Sequence, residues 1–304
     1  MKDCGSSETI RKTTFRFQNF FNHLPEHIKT CSPTFLEWFI GFCEGDSCFS
    51  SSKPSSLEFI INQKEKRILQ NIRTTLGFGR VTTTPYVGKC GNLYYRFSVS
   101  KRSDIDRIVH LFNGNIVLNK INDNFLLFLQ NRNAQACKDG RPPIHFLGKH
   151  EFLFFENNAW LSGFTDAEGC FYVGKSKDKR YSLGYRLRCR YILDQLAERW
   201  ILEKIKNEFV KNGCISIRKT KDKDGNVIIR RVGQEMLRYT CTHLKCLEFL
   251  MNYFKKYPLL SEKSIALHRF QKMMRYIQNR KTVEWEGKVL KKVENLLNKL
   301  KEED

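Results

Sequence analysis

One short phrase occurs twice in this chain, and an internal repeat constrains the architecture before any single element does. The two copies occupy residues 35–49 and 160–171. Aligned, they pair Trp38 with Trp160, Gly41 with Gly163, Phe42 with Phe164, Cys48 with Cys170 and Phe49 with Phe171, and acids pair as Glu44 with Asp166 and Asp46 with Glu168. The repeat predicts two similar halves that meet across a pseudo-twofold axis, each contributing one acid.

Composition sets the size and the class of partner. A length of 304 residues suggests about two domains. The chain has 53 basic and 32 acidic residues, a net charge of +21, which indicates a polyanionic partner and nucleic acid first.

Cysteine usage and hydropathy indicate the compartment. None of the 11 cysteines forms a C-x-x-C pair, and no histidine spacing completes a zinc site, so we expect free, mostly buried thiols in a reducing compartment. No apolar run approaches the roughly 18 residues that span a bilayer, and no secretory signal opens the chain. We expect a soluble intracellular protein, and the wealth of Lys, Asn, Ile and Phe is typical of an organellar coding genome.

Each half is predicted to be α+β with a mostly antiparallel sheet. In the first half we predict a helix over the repeated phrase, a strand around residues 57–61, a helix over 66–76, a hairpin of 80–84 with 94–100, and helices over 104–112 and 123–130. In the second half we predict a strand over 181–193, a helix over 200–209, a hairpin of 214–220 with 227–242, and helices over 244–254, 261–277 and 282–301. The predicted domains are a basic extension (1–33), a first domain (34–131), a linker (132–155), a second domain (156–280) and a C-terminal amphipathic helix (281–304).

The repeated phrase carries a stripe of small residues. Gly41 and Gly45 lie four apart, as do Gly163 and Ala167, so each pair shares one face of its helix. Two such faces allow close backbone contact. Asp46 and Glu168 then emerge side by side, where their mutual repulsion is relieved by a divalent cation, and oxygen-only ligands favour Mg²⁺ over zinc. The alternative is that the glycines only permit tight packing and the acids are solvated.

The two nonapeptides at residues 39–47 and 161–169 resemble the signature of the LAGLIDADG homing endonucleases. Two copies in one chain are similar to the single-chain, pseudo-dimeric members encoded in organellar group I introns, and the resemblance covers residues 34–280. It implies two homing endonuclease-like domains whose curved sheets form a DNA-binding saddle. It also implies that Asp46 and Glu168 bind Mg²⁺ (or Mn²⁺), with Gly45 and Ala167 in the same metal set. The first copy has Ser47 where glycine is usual, which requires a turn that accepts a side chain.

The resemblance also implies four further catalytic residues. Gln63 follows a Phe-x-Ile-x-Gln pattern typical of the family, and Gln195 follows a looser version of it. Lys120 and Lys263 match the basic residue that members carry late in each half. Without the resemblance, each of the four would be interpreted as an ordinary surface polar residue.

Alternation within the strands predicts a polar, basic face for DNA, because side chains of one strand point to opposite faces in turn. Base and backbone contacts are predicted from Ser50, Ser52, Arg80, Thr82, Thr84, Arg96, Ser98, Tyr172, Arg186, Arg188, Arg190, Arg218, Arg230, Arg238 and Thr240. Phosphate contacts are predicted from Lys175, Lys177, Lys219 and Lys221. Because the halves are unequal, the target is predicted to be asymmetric.

We therefore predict a monomeric, site-specific endonuclease that uses Mg²⁺ to hydrolyse double-stranded DNA and promotes intron mobility. It is expected in an organelle matrix, in the mitochondrion before the chloroplast. One alternative is a group I intron RNA maturase, with or without nuclease activity, whose partner is the host intron RNA. Another is a DNA-binding regulator that does not cut. The intact acid pair favours the nuclease, because RNA folding does not require paired carboxylates.

Overall fold

The computed structural model describes residues 14–301 apart from 54–55, 88–90, 92, 152–153, 182–183, 220–227, 229–232 and 280–284. The elements of the first half are α1 (Gln18–Phe21), α2 (Pro33–Asp46), β1 (Ser47–Lys53), β2 (Ser56–Gln63), α3 (Lys66–Leu76), β3 (Arg80–Val87), β4 (Leu93–Val99), α4 (Arg102–Phe112) and α5 (Asn119–Lys138).

The second half repeats this order after a short 3-10 turn at Phe155–Asn157. Its elements are α6 (Trp160–Glu168), β5 (Gly169–Lys177), β6 (Tyr185–Leu196), α7 (Arg199–Lys204, continued by a π-helical turn at Ile205–Val210), β7 (Cys214–Ile217), β8 (Met236–Cys241), α8 (Leu244–Lys256), α9 (Lys263–Gln278) and α10 (Gly287–Lys301).

Both halves build the same four-stranded antiparallel sheet. The strand order is β1-β2-β4-β3 in one half and β5-β6-β8-β7 in the other. The predicted α+β class and pseudo-symmetric halves are therefore confirmed. No helix in the described ranges is both long enough and apolar enough to cross a bilayer. The nine described cysteines are free thiols, and Cys31, Cys43, Cys189 and Cys241 are buried.

Each sheet turns one face toward a helical layer and leaves the other open. In β2, Phe59 and Ile61 are fully buried while Asn62 is exposed. In β6, Tyr191 and Leu193 are fully buried while Arg188 is exposed. The apolar face packs under the helices because burial of apolar area is the main favourable contribution to folding. The open faces remain available for a ligand.

The largest differences from prediction concern three features of the chain. The strands β1 and β5, which directly follow the motif helices, were not predicted as separate elements. Helix α5 continues to Lys138, beyond the predicted end at residue 130, so the first part of the predicted linker is helical. The extension is only partly separate, because Phe17 and Phe20 are buried in the hydrophobic core.

The connection between the halves is held on the first domain by side-chain amides. Asn113 donates to the His145 carbonyl at 2.7 Å and accepts from the Leu147 N–H at 2.9 Å. Asn133 likewise donates to the Ile144 carbonyl at 2.9 Å and accepts from the N–H of the same residue at 2.9 Å. Paired amide contacts of this kind satisfy backbone groups that a connection without secondary structure leaves open.

Candidate active site at the domain interface

Helices α2 and α6 meet backbone to backbone at two glycines. A β-carbon placed on Gly41 would lie 2.0 Å from the carbonyl oxygen of Trp160, and one on Gly163 would lie 1.8 Å from the carbonyl oxygen of Trp38. No side chain fits in either space, since real β-carbons do not approach carbonyl oxygens below about 3 Å. The predicted stripe of small residues is therefore the contact between the domains.

The first acid of each motif ties the two domains together. Trp160 donates its indole N–H to Glu44 at 3.2 Å, and Trp38 donates its own to Asp166 at 2.8 Å. Each bond crosses the interface, and the two occupy equivalent positions. The sequence comparison paired these residues but did not assign them this role. The one signal available was that each tryptophan recurs with an acid in both copies.

The same carboxylates hold the segments that precede α5 and α9. Glu44 accepts the backbone N–H groups of Val117 and Leu118, and Asp166 accepts the N–H of Leu260 at 2.8 Å. Burial raises the pKa of Glu44 to about 8, against these hydrogen bonds, which lower it. Burial also raises the pKa of Asp166. The first acids are thus buried structural groups that position the start of the late helices.

The second acids, Asp46 and Glu168, are the last residues of α2 and α6, and the two helix ends adjoin. A β-carbon on Gly45 would lie 2.4 Å from the β-carbon of Ala167 and 3.0 Å from Cγ of Glu168. Burial raises the pKa of Asp46 to about 6. Burial, and then the charge of Asp46, raise the pKa of Glu168 to about 7. The predicted pair of neighbouring carboxylates is present, away from bulk water.

The predicted glutamines and lysines surround this pair unequally. Gln63 donates its amide N–H to Asp46 at 2.5 Å. Gln195 ends the inward row of β6 in the corresponding register and is 7% exposed. Lys263 donates to the carbonyl oxygens of Ala167 at 2.8 Å and Thr165 at 3.3 Å, and burial lowers its pKa. Lys120 is exposed, and its charge lowers the pKa of Glu168.

The donor set fits a hard divalent cation. Two adjoining carboxylates, each with a raised pKa, are destabilised as a charged pair, and a cation bound between them removes that repulsion. The described residues contain no group of three or more His, Cys, Asp or Glu side chains suited to a metal. Oxygen ligands of this kind suit Mg²⁺ or Mn²⁺ rather than zinc.

Ser47 does not disturb the first half of this site. Its backbone is extended, with φ −101° and ψ 163°, and Gly169 in the second copy has φ −81° and ψ 150°. Any residue adopts this conformation, so the serine is compatible with the turn.

Two networks organise the open sheet faces. In the first half, Arg96 donates to Asn62 at 3.0 Å. At the equivalent place in the second half, Arg238 donates to Asp194 at 2.7 and 2.8 Å, and Arg218 donates to the same carboxylate at 2.6 Å. The strand registers place Ser50 opposite Glu58, Ser98 opposite both Ile60 and Arg80, Thr82 opposite Arg96, Thr240 opposite Ile192, and Tyr172 opposite Arg190, all on these open faces.

Arg186, Arg188 and Arg190 form a row of arginines on the open face of β6. The guanidinium group of Arg190 lies over the Tyr172 ring, 5.7 Å from its centroid. The Nε atom of Arg190 is buried without a hydrogen-bond partner. Lys219 is exposed beyond β7. These groups place positive charge along the second half of the saddle.

Some predicted DNA contacts lie elsewhere. Lys175 and Lys177 pair with Leu187 and Tyr185 in the register, which puts them on the face of the sheet opposite Arg188. Thr84 is 9% exposed and donates to the Tyr94 carbonyl at 3.1 Å, so its hydroxyl is already used within the protein. Lys221, Arg230 and the side chain of Ser52 lie outside the described residues.

The sequence is similar to those of known proteins. Residues 161–274 match the family model "LAGLIDADG endonuclease". The chain is 31% identical over 268 residues to the "Probable intron-encoded endonuclease 4" of Neurospora crassa, covering 87% of this chain and 44% of that protein. It is 27% identical over 283 residues to an "Uncharacterized cox1 intron-2 37.2 kDa protein" of Schizosaccharomyces pombe, covering 91% and 76% of the two chains. The chain thus spans less than half of the Neurospora relative.

A solved structure shares the fold over nearly the whole chain. The I-SmaMI LAGLIDADG homing endonuclease bound to cleaved DNA superimposes with a TM-score of 0.64 at 17% identity, covering 86% of this chain and 95% of that one. The doubled motif, the matching sheets and the glycine contact between α2 and α6 agree with this likeness. Residues 161–274 therefore belong to the LAGLIDADG endonuclease family, and the first half carries the same motif and the same sheet order.

Proposed function

We propose that this protein is a site-specific double-strand DNA endonuclease that requires Mg²⁺ and cuts a long asymmetric target, as a monomer. The observation that carries the proposal is the pair of partly buried carboxylates, Asp46 and Glu168, at adjoining helix ends between two open sheet faces that carry arginines. Carboxylates in that position serve phosphodiester hydrolysis and have no evident use in binding alone. The intron-encoded relatives support a role in intron mobility, and with it a location in the mitochondrial matrix.

The open faces of the two sheets would bind the DNA. A ribbon of two strands fits the major groove, where guanidinium groups can read base edges. Arg238 and Arg218 are oriented by one acid, Asp194, while Arg96 is oriented by an amide, Asn62. The two halves therefore orient equivalent arginines with different acceptors, and the second half adds Arg218, which supports an asymmetric target.

The residues around Asp46 and Glu168 would have different roles in phosphodiester hydrolysis. Asp46 and Glu168 would hold the cation, and Gln63 fixes the orientation of the Asp46 carboxylate through its amide. When bound, Mg²⁺ supplies the positive charge that activates water for attack and stabilises the leaving 3′-oxygen. Lys263 and Lys120 add fixed positive charge beside the scissile phosphates, where the negative charge grows in the transition state. Gln195, at the position in β6 that corresponds to Gln63 in β2, would hydrogen-bond the attacking water in the second half.

The test is cleavage of the intronless allele of the host gene, with Mg²⁺ and with mapping of both cut ends. Asp46→Asn and Glu168→Gln keep the shape of the site and remove one ligand charge each. We expect either change to abolish double-strand cleavage and to leave the dissociation constant for the uncut target within a few-fold. Cleavage of both strands by the Asp46→Asn protein would contradict the assignment.

A further inference from the structure

Each of the two site lysines lies in the first turn of a helix whose N-cap residue makes no side-chain capping bond. Lys263 is the first residue of α9, and Lys120 is the second residue of α5. The N-cap residues of these helices are Glu262 and Leu118. The first N–H groups of a helix have no partner within it, so acceptors must come from elsewhere.

For α5 the acceptor comes from the second domain. Glu198, in the turn between β6 and α7, is 3% exposed and accepts the backbone N–H of Lys120 at 2.8 Å. Its other oxygen accepts the Asn119 amide at 3.2 Å and the Trp200 indole N–H at 2.5 Å. The carboxylate is therefore fixed by its own domain while it caps a helix of the other.

Helix α9 has two side-chain acceptors at its start. The Ser261 hydroxyl oxygen, in the same domain, accepts the backbone N–H of Lys263 at 3.2 Å, and the second acceptor comes from the first domain. Glu65, between β2 and α3, accepts the backbone N–H of Glu262 at 2.8 Å. The next residue, Lys263, reaches the Ala167 carbonyl from this turn. Glu65 and Glu198 thus each accept a backbone N–H at the start of a helix of the other domain, Glu198 from the lysine itself and Glu65 from the residue before its lysine.

A carboxylate at a helix N-terminus accepts N–H groups and complements the positive end of the helix dipole. Because each cap is anchored in one domain and each lysine belongs to the other, the position of a lysine depends on how the two domains fit together. A small displacement of a group beside the reacting atoms is costly for the rate.

We propose that Glu65 and Glu198 are positioning residues that act crosswise. Glu198 sets the position of Lys120, and Glu65 sets the position of Lys263. The inference deepens the proposed endonuclease function and rests on it.

The experiment is single-turnover cleavage of the target at saturating protein and Mg²⁺. Glu198→Ala and Glu65→Ala should each slow cleavage by roughly tenfold or more, with an unchanged dissociation constant for the DNA. Glu65→Gln should restore most of the rate, because an amide oxygen still accepts the Glu262 N–H. Glu198→Gln should restore only part of it, because its amide oxygen can accept the Lys120 N–H while its NH2 group would face the donors of Asn119 and Trp200. Glu203→Ala, on the exposed side of α7, is the matched control and should cut at the wild-type rate.

Double-mutant cycles identify which lysine each cap serves. In a Lys120→Ala background, Glu198→Ala should slow cleavage little further, while Glu65→Ala should keep its full effect. A Lys263→Ala background should show the reverse. Where an alanine variant does not fold, Glu198→Asp or Glu65→Asp, which shortens the reach by one methylene, takes its place in the cycle.

The two possible failures differ. If the alanine variants cut at the wild-type rate, or if their effects are the same in both lysine backgrounds, the positioning role is refuted while the endonuclease stands. If the wild-type protein does not cut the target at all, the proposed function itself fails, and the positioning role fails with it.

Discussion

At the scale of single residues, the interface depends on the close approach of the α2 and α6 backbones at Gly41 and Gly163. Each glycine faces a carbonyl oxygen of the opposite helix, and neither carbonyl can move without shifting its helix. The two indole N–H bonds, from Trp38 and Trp160, then fix the rotation of the helices about this contact. Close approach and directed polar bonds together give one relative placement of the domains.

We expect Gly163→Ala to destabilise the protein by about 2–3 kcal/mol, because the added methyl group must separate two backbones. Gly174→Ala is the matched control: a β-carbon there lies 3.2 Å from the flexible end of Arg190, which can move. Urea unfolding of both variants measures the difference. Equal stability of the two proteins would show that the helices separate at little cost.

At the scale of elements, sequence analysis succeeds where a pattern is local. Helix α3 lies at its predicted bounds, Lys66–Leu76, since Gly77 ends it in the left-handed conformation with φ 77°. Gln63 was predicted beside the acids, and its amide bonds Asp46. The helix follows from a stop signal that can be read within one segment, whereas the role of Gln63 follows from the resemblance of its Phe-x-Ile-x-Gln pattern to the family.

Local sequence patterns do not predict contacts between distant segments. They also do not predict where a strand begins or where its register shifts. Glu198 and Lys120 are joined only by the folded chain, so no spacing signals their contact. The face on which Lys175 lies could not be predicted, because β5, which begins at Gly169 directly after the motif, was not recognised as a strand. Thr84 follows a register shift that begins at Thr83, which alternation alone does not reveal.

The assignment of Arg188 and Lys175 to opposite sheet faces leads to a prediction about DNA binding. Arg188→Ala removes an exposed charge on the open face of β6 and should weaken binding of the target by roughly tenfold. The loss should map to base pairs of one half-site. Lys175→Ala, on the other face, should bind within about twofold of the wild type, because its ammonium lies over the Tyr185 ring at 3.8 Å. Titrations with targets substituted in either half-site measure both effects, and a larger loss for Lys175→Ala would refute the assignment of faces.

At the scale of the whole molecule, two histidines join the first domain to the segment before α2. His150 stacks on Phe15 with ring centroids 4.2 Å apart, and His110 stacks on His23 at 4.0 Å. Burial lowers the pKa of each, His110 and His150, to about 4. An unfolded histidine binds its proton near pH 6.5. The stabilisation from the neutral rings is therefore complete above about pH 6.5 and is lost as the pH falls toward 4.

Buried acids with raised pKa values make the protein more stable as the pH falls, which opposes the effect of the histidines. The prediction therefore compares the pH dependence of stability of the wild type with that of a variant without these histidines. We expect wild type to lose more stability between pH 7.5 and pH 5 than a His110→Gln, His150→Phe double variant, as measured by urea unfolding. The same change with pH in both proteins would exclude these histidines as the cause.

The reciprocal ties between Trp38 and Asp166 and between Trp160 and Glu44 have a consequence for each half on its own. Because both halves carry a tryptophan and an acid at equivalent places, two copies of one half could make the same pair of bonds. Where Gly45 meets Ala167, however, two second halves would bring methyl group against methyl group, while two first halves would leave that space open. A homodimer built from the first half is therefore sterically permitted, and one built from the second requires Ala167→Gly.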